Sequence, residues 1–88
     1  MKTWWLYIIR TDRGHLYTGI TTDVNRRFKE HCGGGKKAAK YLRGKKNLEL
    51  IFTKQVGTRS EATILEYKIK NLPKTEKEKI VNENCVHI

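Results

Sequence analysis

The sequence predicts an α+β domain, a three-stranded antiparallel sheet with helices packed on it, in the order ββα(α)βαα. Three observations predict it. At 88 residues the chain has room for one domain and a small core. Two runs rich in aromatic and β-branched residues, 3–10 and 15–20, flank a short turn ending in Gly14, and a third run follows at 48–56. Elsewhere the apolar residues recur at helical spacing, as in Ala62, Leu65, Ile69 and Leu72. No linker, internal repeat or low-complexity tract interrupts the chain, so 1–88 is expected to be a single domain.

Each element has a local reason. The run 3–10 (TWWLYIIR) is apolar on both faces, with Trp4, Leu6 and Ile8 on one and Trp5, Tyr7 and Ile9 on the other. Such a strand belongs in the middle of a sheet covered on both sides. Thr11-Asp12-Arg13-Gly14 fits a type I turn closed by a glycine bulge. A three-residue loop sets odd positions opposite odd positions, which puts Tyr7 and Tyr17 on one face as diagonal neighbours about 7–8 Å apart. Thr21, Thr22 and Asp23 are N-cap candidates for a helix reaching about His31. Arg27 and His31, being i and i+4, share one face of that helix. Gly33-Gly34-Gly35 ends it, and a short basic helix is expected over 36–42, broken at Gly44. In 48–56, Leu48, Leu50 and Phe52 alternate with Glu49, Ile51 and Thr53. Thr58 and Glu61 make a capping box for the next helix, which Pro73 stops. Thr75 and Glu78 repeat that pattern before a last, mostly polar helix.

Charge narrows the partner. Nineteen basic residues face nine acidic ones, for a net charge of +10. Lys36, Lys37, Lys40, Arg43, Lys45 and Lys46 fall in a stretch, 36–46, that contains no acid. A solvated face is one meaning of such a block. A membrane-surface helix needs a broad apolar face, and this segment offers only Ala38, Ala39, Tyr41 and Leu42. Nucleic acid is the better-matched partner, and no membrane is expected. The apolar run 4–9 is too short for a secretory core or a membrane span. Two cysteines, Cys32 and Cys85, with no signal peptide before them, fit a reducing cytoplasm and a nucleoid-associated protein. A zinc site is not expected from His31, Cys32, Cys85 and His87, because adjacent ligands rarely point at one metal and no CxxC occurs.

The residues suited to chemistry are Tyr7, Tyr17, Arg27, His31 and Glu66. Two phenols, a fixed cation, an imidazole and a carboxylate are the parts needed for metal-assisted attack on a phosphodiester. In this order, Trp5-Leu6-Tyr7, Tyr17-Thr18-Gly19, Arg27, His31 and Glu66 resemble the GIY-YIG nuclease family over nearly the whole chain, in particular its small stand-alone members. The chain departs from the family pattern at Trp5, where the family name has Gly, and at Thr18. Both are apolar or spacing positions. The resemblance implies a GIY-YIG-like fold with Tyr7, Tyr17, Arg27 and His31 catalytic and Glu66 on the metal. It also implies a functional Asn after the glutamate, for which Asn71, Asn82 and Asn84 are equally available.

Physical roles follow from the residue types. At pH 7 an ordinary phenol is ionised about one part in a thousand, and lowering its pKa by about 2 units needs roughly 2.7 kcal/mol from a nearby cation or metal. Tyr17 is expected to be the base or water-orienting group, with Tyr7 supporting it and His31 accepting the phenol proton. Arg27 is expected to bind the scissile phosphate through its forked donors. Arg26, Lys29, Lys36, Lys37, Lys40 and Arg43 are the expected nucleic-acid contacts. Glu61 and Glu66 flank the apolar helix stripe about equally; the capping job of Glu61 leaves Glu66 as the freer carboxylate. One carboxylate completed by water and phosphate suits a single Mg²⁺ or Mn²⁺ ion. The expected function is divalent-metal-dependent endonuclease on DNA, structured or branched DNA included. The alternatives are a non-catalytic nucleic-acid-binding module of the same fold and an interaction domain that docks an acidic protein. One small domain also leaves room for a protein partner that supplies specificity.

Overall fold

Strand β1 (Trp4–Arg10) lies between two other strands and carries a core on each face, which is why both faces are apolar. The structure, a computed structural model, describes residues 2–86. Strands β2 (Leu16–Thr21) and β3 (Glu49–Gly57) pair antiparallel with β1, in the order β2-β1-β3. The β1–β2 turn is the expected three-residue loop. Gly14, at φ +80°, donates its N–H to Thr11 O at 2.9 Å, and Thr11 N–H reaches His15 O at 2.9 Å. Only a residue at ease with positive φ closes this loop without strain. Tyr7 therefore stands opposite Gly19 and Ile9 opposite Tyr17, odd with odd.

Each face of the sheet carries its own core. On one, Leu6, Ile8 and Phe52 pack against Ile69 of helix α2 (Arg59–Lys70) and Ile80 of helix α3 (Lys74–Glu83). On the other, Tyr7 and Ile9 pack with Leu42, and Tyr17, Val24, Phe28, Leu48 and Leu50 close around them. Each fully buried aliphatic side chain contributes about 1.5–3 kcal/mol. The second face is roofed by helix α1 (Val24–Gly33) and by the segment 35–43, which we call the strap. Asp23 caps α1 by accepting from Arg26 N–H at 3.1 Å, and Gly34, at φ +68°, ends it. The capping box of α2 is complete, with Thr58 and Glu61 each accepting the other's backbone N–H.

Three expectations are corrected. The strap contains only a single 3₁₀ turn, Lys40–Leu42, instead of a helix over 36–42. Its backbone groups are drawn off by tertiary partners: Ala39 N–H by His31, and the carbonyls of residues 36–38 by two arginines. In β3, Ile8 opposes Phe52 while Ile9 opposes Leu50, so a bulge at Ile51 breaks the alternation. Leu48 and Leu50 consequently face α1 and the strap, and Phe52 faces α2 and α3. Helix α3 opens at Pro73 with no side-chain cap. The fixed φ of Pro73 starts the helix ahead of Thr75, and Glu78 instead pairs with Arg10 at 2.6 Å, tying α3 to the end of β1. Among the described residues, no helix is long and apolar enough to cross a membrane.

Candidate active site

The site grows out of the hairpin register. Tyr7 and Tyr17 leave the same face with ring centroids 6.4 Å apart, close to the expected diagonal spacing. Tyr7 is 2% exposed and lies across Gly19, its partner on β2. A Cβ at position 19 would stand 2.5 Å from Cζ of Tyr7, so the ring occupies the space that any other residue would fill. A glycine inside a strand signals such a close approach, and the sequence carried that signal.

Helix α1 delivers His31 to the same point. Its ring centroid is 5.8 Å from that of Tyr7 and 5.6 Å from that of Tyr17. His31 is fully buried, and its Nε2 is 2.8 Å from the Tyr7 hydroxyl oxygen. Its other nitrogen, Nδ1, accepts the backbone N–H of Ala39 in the strap at 3.1 Å. A nitrogen that accepts cannot carry the proton, so the neutral ring is protonated on Nε2 and donates to Tyr7. The expected direction is therefore reversed: neutral His31 gives a hydrogen bond to the phenol and has no lone pair to take its proton. Burial and the Arg27 charge hold the His31 pKa below its ordinary value, against Glu30, so the ring is neutral at pH 7. Burial, then Tyr17, push the Tyr7 hydroxyl above the usual phenol range, while the Arg27 cation pulls the other way and Glu66 adds to the rise. Tyr7 accordingly keeps its proton at neutral pH when no metal or substrate is bound.

Arg27 stands one helical turn before His31. Its Nη1 donates to Glu30 Oε1 at 2.8 Å and to the carbonyl of Lys37 in the strap, which fixes the guanidinium beside Tyr7. Glu30 is an i, i+3 partner visible in the sequence that the chemistry-led reading passed over.

Glu66 approaches from the third direction, on α2, which packs over β2 and β1. Its side chain is 21% exposed and close enough for its charge to act on Tyr7. Lys70 lies one turn on, with Nζ 3.4 Å from Glu66 Oε2 and 5.9 Å from the Tyr17 ring centroid. Glu61, the rival carboxylate, is spent in the α2 cap. Among the described residues no three His, Cys, Asp or Glu side chains gather to hold a metal, and both cysteines are free and exposed. This donor set fits an ion that takes one carboxylate and fills its remaining positions with water and phosphate, the habit of Mg²⁺. His87, one of the four residues weighed for zinc, lies outside the described residues.

Against known proteins, the model of the GIY-YIG catalytic domain matches residues 3–79. The chain belongs to the GIY-YIG family. It is 57% identical over 83 residues to a UPF0213 protein of Citrobacter koseri, covering 94% of this chain and 81% of that one. It is 52% identical over 86 residues to the UPF0213 protein YhbQ of Escherichia coli, covering 98% and 84%. Among solved structures it resembles the UPF0213 protein BH0048 of Bacillus halodurans, with TM-score 0.58, 40% identity and coverage of 91% and 83%. It also resembles the protein EF2693 of E. faecalis, with TM-score 0.64, 32% identity and coverage of 94% and 86%.

Around the five central residues of this GIY-YIG domain, the basic side chains separate into two groups. Arg26 and Lys29 on α1, and Lys36, Lys37 and Lys40 on the strap, are exposed. Arg43 has a different job: its Nε and Nη2 donate to the carbonyls of Ala38 and Lys36, at 3.3 and 2.8 Å. It holds the strap in the shape that presents Ala39 N–H to His31. That use of arginine has no local sequence signal, since it needs the loop already folded. Of the three asparagines, Asn71 donates to Tyr67 O and Asn84 ends α3 in a left-handed conformation, both helix-end roles, while Asn82 is exposed on α3.

Proposed function

We propose that the domain is a divalent-metal-dependent endonuclease that hydrolyses DNA phosphodiester bonds. The observation that carries this reading is the convergence of Tyr7, Tyr17 and His31, with centroids within 6.4 Å of one another, beside the fixed cation Arg27. Gathering phenols, an imidazole and a half-buried guanidinium at one point costs hydration that apolar side chains would not lose. For phosphodiester hydrolysis the same set is apt. Arg27 neutralises the phosphoryl oxygens, an interaction worth a few kcal/mol when charge develops in the transition state. Tyr17, the less buried of the two phenols, orients the attacking water. Tyr7 is held in place by the Nε2 proton of His31, a bond that strengthens with any negative charge on the phenol oxygen. Glu66 would hold the ion, which supplies Lewis-acid stabilisation and a water of lowered pKa when bound. Lys70, half exposed, is free to turn away from Glu66 and neutralise a backbone phosphate.

The test is nicking of supercoiled plasmid and of labelled branched DNA with Mg²⁺, with Mn²⁺ and with chelator. Glu66→Gln keeps the shape of the side chain and removes its charge. Cleavage should fall by orders of magnitude, since metal stabilisation is worth several kcal/mol and each ~1.4 kcal/mol is tenfold. DNA affinity should stay level or rise slightly in a protein of net charge +10. If Glu66→Gln cuts as well as the parent, the carboxylate is structural and the metal assignment fails. Salt-sensitive binding with no metal-dependent nicking by the parent would identify a binding module instead.

A further inference from the structure

One large aromatic beside the site is unused by the reading above. Tyr41 is 47% exposed although both flanks of its segment are buried, Leu42 completely and Ala38 to 4%. The ring is fixed from several sides. Its hydroxyl lies 3.1 Å from Nδ1 of His15, and its plane is within 11° of parallel to Tyr17, with centroids 6.1 Å apart. The strap that bears it is pinned by Arg43, by Arg27 and by the Ala39–His31 hydrogen bond. Lys45 Nζ lies 4.9 Å from the Tyr41 centroid, and Lys70 Nζ 5.9 Å from that of Tyr17. A groove of about 370 Å³ beside the two rings is lined by Leu16, Tyr17, Thr18, Tyr41, Lys70 and Lys77. Parallel, stacked aromatics with an ammonium group over each ring suit a splayed nucleotide, whose base takes the place of an ammonium on an exposed ring face. The base gains a π-face to stack on, and the phosphates on either side gain cations.

We infer that Tyr41, extended by Tyr17, is a stacking platform for an unpaired nucleobase next to the scissile phosphate, so that single-stranded DNA is the preferred ligand. This rests on the nuclease reading for the location of the cut, but the platform is itself a binding site. A base within a duplex has both faces covered by its neighbours, so only an unpaired or flipped base reaches the Tyr41 ring. Because the ring is already held, little further order is lost when the base docks. Every base has a π-face, so the preference is for strandedness and tolerates sequence.

The test compares the full chain with Tyr41→Ala and Tyr41→Phe, binding three fluorescein-labelled probes in chelator: an oligothymidylate, the same strand with a central run of abasic sites, and a hairpin duplex of equal length. Circular dichroism confirms the fold of each variant. Tyr41→Ala should weaken oligothymidylate binding about 5- to 150-fold and duplex binding less than about twofold. Tyr41→Phe, which keeps the ring and loses the His15 contact, should bind within about threefold of the parent. The abasic strand should bind parent and Tyr41→Ala alike. Equal losses on all three probes, or no loss on the single strand, would overturn the platform. Plasmid nicking by the parent distinguishes the two readings. Nicking with unaltered single-strand affinity in Tyr41→Ala refutes the platform alone. Tyr41-dependent single-strand binding without any nicking supports the platform and refutes the nuclease.

Discussion

Replacing Gly19 with Ala adds one methyl to the strand residue opposite Tyr7. The new Cβ would lie 2.5 Å from Cζ and 3.0 Å from Cε2 of that ring, where ordinary contact begins at 3.4 Å. The Tyr7 hydroxyl oxygen lies nearer still, so the ring must withdraw by about 1 Å, and at 2% exposure it has no solvent to move into. A shift of that size is enough to break the 2.8 Å hydrogen bond with His31. Overpacking contributes about 1–3 kcal/mol of destabilisation and the lost bond about 1. Gly19 is not among the positive-φ glycines, so Ala also recovers about 0.4–1 kcal/mol by stiffening the unfolded chain. The net loss should be about 1–4 kcal/mol, read by urea denaturation. Cleavage per folded molecule should fall about 100-fold, because a reacting group is displaced by roughly 1 Å. In a Tyr7→Ala background the clash is gone, and Gly19→Ala should be neutral or stabilise by up to about 1 kcal/mol. If Gly19→Ala alone unfolds and cleaves like the parent, the account of why this strand carries a glycine is wrong.

The exposed strap lysines give a second expectation: Lys36→Ala, Lys37→Ala and Lys40→Ala together should reduce the log–log salt slope of DNA binding by up to about 2.7, and an unchanged slope would make them a solvated face. Arg43 is left in place there because it holds the strap. For His31, whose pKa is lowered in the folded protein, the sign is set by the unfolded chain taking up the extra proton near its ordinary value of about 6.5. Stability should be full above that pH and fall as pH drops through it towards the lower folded value; His31→Gln should flatten the profile, and an NMR titration of His31 above 6.5 would contradict the sign. Glu61→Gln should cost at most about 1 kcal/mol through the α2 cap and leave cleavage near normal, in contrast to Glu66→Gln.

The features legible in the sequence were those decided within a few residues. Gly14 set the length of the loop, the loop set the register, and the register put Tyr7 and Tyr17 on one face. Thr58 and Glu61 announced their own cap, and Arg27 and His31 their shared helix face. Features decided by distant partners were not legible. The bulge at Ile51 exists only relative to β1. The strap is made of good helix formers, yet His31, Arg27 and Arg43 compete for its backbone groups and win. The direction of the Tyr7–His31 hydrogen bond followed from an N–H eight residues beyond His31, which no propensity encodes. Gly19 was visible as a glycine in mid-strand; its purpose needed the Tyr7 ring.

The Ala39 contact is made by main chain, and main chain is the same in nineteen of the twenty amino acids. Substitution by another residue small enough for the half-buried position leaves the imidazole tautomer untouched so long as the strap keeps its path. Proline is the exception, having no N–H to give. A Pro at 39 would leave Nδ1 without its donor, let the imidazole proton move to either nitrogen, and so remove the element that fixes which way the phenol is addressed. Tolerance of the small side chains that fit beside Leu42, with proline refused, is the pattern by which a mutational scan would reveal a backbone atom at work in the site.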